Sequence, residues 1–494
     1  MFSKILIVPL FHMKAIKYYT GLFIVLIALY SCTKDSASPE FNDFPTEIGK
    51  IFTYKCATAG CHNNASYKGA ADLNLISFSS LFQGSTNGSP VIPYRSDFSS
   101  LCFFINTYDD LGLKNNPTMP LNANPLSKQE VQTIKDWIDK GAPDINGNIM
   151  WSDNPARKKY YVVNQGCDVV TVFDAKTQLP MRYITVGNIP NKGESPHMIR
   201  VSPDGKYWYI VFTGNNILQK YRTSDDSFVG EVVLGVDQNW NTIYITDDSK
   251  KAYCISFQPS SRIAAIDLDN MKLLHNYGGG DFTYAHGIAL NKTNDTIYIT
   301  RQTGNYIYKT DTAFNVGFQQ VPIDGSSVIN SSPSIDPHEI TFSTDGTKYF
   351  VTCQATNEVK VINTAGDVFL QSIPTGQFPQ EIIKSAVRNK LYVTCQDEPS
   401  SSPSTKGCVT VIDMASYQSK NYSVGYQPHG IALDESNGYV IVASRNYLQS
   451  GPVPHHTSVC GRNGFVSYFS INTMQLLTNK TEVASDPYSV AFRP

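Results

Sequence analysis

Apolar residues recur along this chain in two rhythms, and the change from one to the other divides it. Between residues 45 and 150 the spacing is helical. In "LSKQEVQTIKDWIDKGAP", Val131, Ile134, Trp137 and Ile138 fall on one face of a 3.6-residue helix. Ser127, with Glu130 three residues on, forms a capping box, and Leu126 with Val131 supplies the hydrophobic staple. Gly141 ends the helix and Pro143 forbids its resumption. "TEIGKIFTYKC" predicts a second helix with Ile48, Ile51 and Phe52 on one side. Between them, the loop "NNPTMPLN" holds Met119 between Pro117 and Pro120.

From residue 155 onward the rhythm is that of strands, and it repeats. "SPHMIRVSPDGKYWYIV", "NWNTIYITDDSKKAYCI", "YAHGIALNKTNDTIYIT", "DPHEITFSTDGTKYFVT", "FPQEIIKSAVRNKLYVT", "QPHGIALDESNGYVIVA" and "DPYSVAFRP" align. His197, Asn241, His286, His338, Gln380, His429 and Tyr488 share one column, each with Ile or Val two residues later. A polar turn and a Tyr-bearing strand follow. The steps between them are 44, 45, 52, 42, 49 and 59 residues, near the span of a four-stranded propeller blade. The last repeat stops after one strand, whereas "KKYYVVNQGCDVVTVFDAKTQLPMRYITVG" has the other three. The C-terminal strand is therefore expected to complete the blade that this segment begins, closing seven blades without a free edge.

The expected fold class is multidomain: a small all-α unit over 45–150 and an all-β seven-bladed propeller over 155–494. Ahead of both, Met13–Cys32 has two lysines and then an apolar stretch, Gly21–Leu29, too short to span a bilayer comfortably. It ends in Leu29-Tyr30-Ser31-Cys32, which resembles a bacterial lipobox. Residues 1–32 read as a lipoprotein signal peptide, starting at Met1 or Met13, with Cys32 lipidated. Residues 33–44 read as a polar tether. That places the chain in the cell envelope, anchored to a membrane and facing periplasm or cell surface, where thiols tend to oxidise.

The length of 494 residues agrees with more than one domain. A net charge of −2 without a basic run excludes nucleic acid as an expected partner. No Gly-rich phosphate loop, Gly-x-Ser-x-Gly elbow or His-Glu-x-x-His occurs.

The chemistry concentrates in "YKCATAGCHNN", where Cys56, Cys61 and His62 stand together. Two cysteines with a histidine directly after the second are how a c-type haem is attached. Helix, Cys…Cys-His, loop, proline-flanked Met and amphipathic helix follow in the order of a cytochrome c domain. The segment resembles the cytochrome c domains of cell-envelope proteins whose last helix reads L-S-x-x-E-x-x-x-I-x-x-W-I-x-x-G-A-P. Its Cys-x4-Cys-His spacing is wider than that family's Cys-x-x-Cys-His. The resemblance implies haem c, held covalently by Cys56 and Cys61, with His62 and Met119 as axial ligands to iron. The alternatives are a Cys56–Cys61 disulfide, or zinc on Cys56, Cys61 and His62 with Cys102 as fourth ligand. Neither accounts for Met119 or the capped helix. Cys102, in an apolar run, reads as a buried thiol.

The propeller repeats resemble the YVTN type of bacterial β-propeller and, more distantly, the propeller of nitrous oxide reductase, in which histidines near the axis hold copper. That relation makes His197, His286, His338, His429, His455 and His456 candidate metal ligands. Asn241, Gln380 and Tyr488 interrupt the column, so copper is not favoured. The blade histidines are expected to hydrogen-bond neighbouring backbone. Cys408 and Cys460 each follow a loop insertion and are a candidate disulfide; Cys353 and Cys395 read as core. The expected function is electron transfer through haem, to or from a partner protein or a site on the propeller. The alternatives are a platform binding protein or glycan with an ancillary cytochrome, and a copper-dependent or lactonase-like enzyme. Whether the protein is an enzyme is left open.

Overall fold

The computed structural model describes residues 41–190, 192–236, 239–398, 406–445 and 460–494. Cys32 and the signal segment lie outside them. Among the described residues, seven four-stranded antiparallel sheets follow one another as blades. Blades one to six cover 196–233, 240–278, 285–322, 337–374, 377–424 and 428–484. Blade seven is composite. Its innermost strand, Pro487–Arg493, pairs with Lys159–Asn164, which pairs with Val169–Asp174 and then Leu179–Thr185. The chain is mostly β, with few helices, and the expected closure by the C-terminal strand holds.

The alternation of the strands explains why the blades stack. Second strands such as Tyr207–Phe212 and Lys348–Cys353 are buried on both faces, because each blade has a neighbour on either side. Their interleaved side chains make contiguous cores, as where Tyr161, Val170, Trp208 and Ile210 join blades seven and one. Outer strands such as Phe228–Val233 and Lys272–Gly278 stay largely exposed.

Residues 45–150 depart from the expected all-α unit. The capped helix forms over Lys128–Asp139, with both halves of the Ser127/Glu130 box made and Val131, Ile134, Trp137 and Ile138 buried. Thr46–Ile51 is helical and passes into a π-helical turn, Phe52–Cys56. The two helices meet through Phe44, Phe52 and Trp137, whose rings lie 5.1–6.3 Å apart. The other helices are single turns or little longer, between irregular loops. Nor is the segment a separate body. Leu179 and Met181, on the outer strand of blade seven, belong to its apolar core. Phe98 stacks on Tyr183 at 4.2 Å, and Arg95 Nη1 donates to the Tyr183 carbonyl at 3.1 Å. The segment thus covers the outer edge of blade seven, which would otherwise offer unpaired backbone groups.

The expected Cys408–Cys460 pairing is corrected. Cys460 is bonded to Cys167. Cys408 sits within its strand, opposite Cys395 in the register of blade five, and both are buried free thiols. Cys460 instead precedes its strand at the rim of blade six. There it meets the turn Gln165–Cys167 of blade seven. The bond links cysteines separated by 293 positions and joins the two blades beside the closure. Cys167→Ser is predicted to destabilise the protein by on the order of 3 kcal/mol in denaturant titration. Reductant should reproduce that loss in the parent protein and add nothing in the variant. An unchanged midpoint in Cys167→Ser would show that the bond carries no stability.

Candidate functional site

Two places gather chemistry. The first is the axis of the propeller. In each blade the ladder between the two inner strands slips at the aligned column, for example between Pro196 and Ile199, Ala285 and Ile288, Pro337 and Ile340, and Pro428 and Ile431. Such a bulge re-aims side chains and leaves an amide without a ladder partner. In blades three and four a threonine on the second strand takes up that amide. Thr300 Oγ1 accepts from Gly287 N at 2.7 Å and donates to the His338 carbonyl of the next blade at 2.6 Å. Thr352 Oγ1 does the same between Glu339 N, at 2.9 Å, and the Gln380 carbonyl, at 3.1 Å. Thr394 reaches the His429 carbonyl at 2.6 Å.

All seven residues of the column are buried, each 4 % exposed or less. Their rings pack in sequence around the axis. His197 lies 3.9 Å from Tyr488, Tyr488 3.7 Å from His429, and His338 3.9 Å from His286, centroid to centroid. His338 and His429 are further apart, at 6.2 Å. His197 and His429 make the expected bond to neighbouring backbone. His197 Nδ1 pairs with the Asn241 carbonyl at 2.8 Å, and His429 Nδ1 with the Tyr488 carbonyl at 3.0 Å. His286 differs: its Nδ1 faces Glu339 Oε1 at 3.3 Å. His455 and His456 lie outside the described residues.

Glu339 and Glu381, one position beyond the column, were not singled out from the sequence. Both are buried, and Glu381 Oε1 stands 3.9 Å from His429 Nδ1. Burial pushes the Glu381 carboxyl up to about 8; Arg200 opposes this and Glu339 adds to it. Glu339 and Arg200 also line an axial cavity of about 500 Å³, together with Thr242, Asp247, Lys292 and Lys384. The signal available in sequence was the pairing of "PHEI" and "PQEI" in blades four and five with "AHGI" and "PHGI" in blades three and six. The glycines leave room: a Cβ on Gly287 would lie 2.9 Å from Glu339 Oε2.

The second place is the Cys-Cys-His segment. Cys56 ends the π-helical turn and is buried in the apolar core, while Cys61 and His62 are partly exposed. Lys55 pairs with Glu130 at 2.6 Å, tying this turn to the cap of the last helix. Both cysteines are free thiols, so the disulfide alternative is not what forms. Burial, then the neighbouring Cys61, pushes the Cys56 thiol up to about 12, so it stays protonated at neutral pH. His62 Nδ1 pairs with the Leu73 carbonyl at 3.0 Å. Met119 packs, partly buried, against the same core as Cys56, its amide donating to the Phe104 carbonyl at 2.7 Å. Cys102 is buried, and burial pushes its thiol up to about 12 also. This donor set fits haem c: two reduced thiols, an imidazole with one nitrogen occupied by backbone, and a thioether on the same core.

The raised Glu381 carboxyl makes a signed prediction. Folded, it keeps its proton to about pH 8; unfolded, it loses it near 4.5. The unfolded state therefore binds fewer protons between those values, and stability falls as pH rises through the window. Glu381→Gln should remove on the order of 4 kcal/mol of that fall between pH 5 and pH 8. Denaturation midpoints of parent and variant at the two pH values measure it. Parallel curves would mean that the carboxyl titrates normally.

No family model matches the chain, and no curated protein matches it. Solved structures do. The periplasmic gluconolactonase PpgL of Pseudomonas aeruginosa is 14 % identical, over 68 % of this chain and 99 % of its own, with a TM-score of 0.51. The hydrazine synthase of Kuenenia stuttgartiensis is 17 % identical over 62 % of this chain and 94 % of its own, with a TM-score of 0.47. A functionally unknown protein from Desulfotomaculum acetoxidans DSM 771 is 17 % identical over 67 % and 99 %, with a TM-score of 0.48. The likeness to PpgL is one of fold, and it agrees with the β-propeller read from the repeats.

Proposed function

We propose that this protein is a haem c-binding electron-transfer lipoprotein of the cell envelope, whose propeller carries the haem-bearing segment on its outer edge. The observation that carries the reading is the Nδ1 contact of His62 with the Leu73 carbonyl. It fixes the tautomer and leaves Nε2 as the nitrogen available to iron. Cys56 and Cys61 are the thiols that would hold the porphyrin. Met119 would supply a soft thioether to the iron, which favours the reduced metal. When bound, haem supplies a one-electron Fe(III)/Fe(II) couple. Phe44, Phe52 and Trp137 belong to the apolar core that buries Cys56 and would keep water from that side of the group, while Cys61 and His62 are partly exposed, where a partner protein would approach. The Cys167–Cys460 bond supports an oxidising compartment. Anchoring through Cys32 rests on the lipobox-like sequence.

A second reading rests on the axial cavity with Arg200, Glu339 and Lys384 in its lining. There the propeller itself is the binding platform or a lactonase-like enzyme, and the haem segment is ancillary.

Protein exported from a host with cytochrome c maturation is predicted to keep its haem through acid–acetone extraction. Met119→Ala should lower the midpoint potential while leaving the haem attached. Haem removed by extraction would contradict the covalent reading, and an unchanged potential would remove Met119 from the iron. Separately, Cys32→Ala should release the protein into the soluble fraction or stall its processing; unchanged fractionation and processing would contradict the lipid anchor.

A further inference from the structure

We propose that the propeller axis holds one divalent transition-metal ion, of the zinc class, bound by His286, His338 and Glu339. The site is distinct from the haem segment and independent of it. It also differs from a copper cluster built on a ring of histidines: two imidazoles and one carboxylate form it.

Four observations converge. One nitrogen of His286, one of His338 and a carboxylate oxygen of Glu339 all lie within 4.8 Å of one another, on three buried residues. A tetrahedral ion with bonds of about 2.0–2.2 Å sets its donors about 3.4 Å apart. The His286 Nδ1 to Glu339 Oε1 distance of 3.3 Å matches that edge, so only the third donor must move inward. Next, those two facing atoms make no hydrogen bond within the protein although both are buried. Two polar atoms held at this distance without a bond are costly, and a cation between them satisfies both. Third, the backbone is arranged for the carboxylate. Gly287 has no Cβ where one would press on Glu339 Oε2, and Glu339 N is held by Thr352 Oγ1. Last, Glu339 lines the axial cavity, which gives an ion a route in and leaves room for water or a small ligand on its open side.

The donor set chooses the metal. Magnesium and calcium take oxygen ligands, whereas two imidazoles and a carboxylate suit zinc and its first-row neighbours. Three protein ligands beside a cavity are the pattern of a site with a position left open. His429 and Glu381 do not duplicate it. Their closest approach is 3.9 Å, and His429 Nδ1 is already engaged by the Tyr488 carbonyl.

The test uses the full mature chain stripped with chelator and titrated with Zn²⁺, and the same chain from a host lacking cytochrome c maturation, free of haem absorption, titrated with Co²⁺. One equivalent of Zn²⁺ per chain is expected by calorimetry and metal analysis. Co²⁺ should give ligand-field absorption without thiolate charge transfer, which separates this site from Cys56 and Cys61. Glu339→Gln and His286→Gln should each weaken Zn²⁺ binding at least 100-fold, with fold checked by circular dichroism. His429→Gln should bind as the parent does. Absence of stoichiometric Zn²⁺, a thiolate-to-cobalt band alone, or affinity unchanged in a folded His286→Gln or Glu339→Gln variant would overturn the proposal.

Discussion

The pairing of Pro487–Arg493 with Lys159–Asn164 is the contact on which the rest of the propeller depends. It brings together the two ends of a 340-residue repeat array, so it closes the longest loop of any strand pairing among the described residues. In return it removes a bare sheet edge and fixes every blade at its angle to the axis. The seam around it is reinforced by polar contacts. Lys159 meets Asp226 of blade one at 2.7 Å, with both side chains about 3 % exposed. Arg445 of blade six pairs with Asp486, and Cys460 with Cys167. Burial pushes Lys159 down and Asp226 up, against their mutual attraction. Desolvation thus offsets the attraction within the pair, as is usual for buried ion pairs.

Closure is what makes an axis, and the bulged inner strands decide what faces it. A regular strand presents every second residue. With the slip, a column residue and its successor both become buried near the centre, as in His338-Glu339 and Gln380-Glu381. The threonine bridges Thr300, Thr352 and Thr394 hold those positions and tie blades three, four, five and six in succession. Carboxylates placed there lose their hydration, which is why Glu381 keeps its proton to about pH 8.

The sequence made the repeats legible because each blade carries its own copy of column, turn and tyrosine strand. It made the closing strand legible because one repeat is split between the ends. It did not make Glu339 and Glu381 legible, since a period of two places the residue after the histidine on the opposite face, and only the bulge undoes that. Cys167 escaped for another reason. Its partner lies 293 residues away, and nothing local marks two cysteines that only ring closure brings together. The cap and the buried face of Lys128–Asp139 were legible in the sequence, whereas the docking of residues 45–150 on blade seven was not. Leu179 and Met181 look like ordinary members of an outer strand, and only their burial in the neighbouring core shows otherwise.

Under the proposed function, residues 45–150 would hold the haem. A segment docked on the outer strand of a closed ring is held at fixed orientation, which suits an electron carrier that must meet a partner at one exposed face. The most direct measurement is peptide mapping by mass spectrometry of protein exported from a maturation-competent host. The account predicts a haem adduct on the peptide containing Cys56 and Cys61, with Cys102 unmodified and Cys167 recovered linked to Cys460. A peptide recovered with free or mutually disulfide-bonded Cys56 and Cys61 and no haem would contradict it.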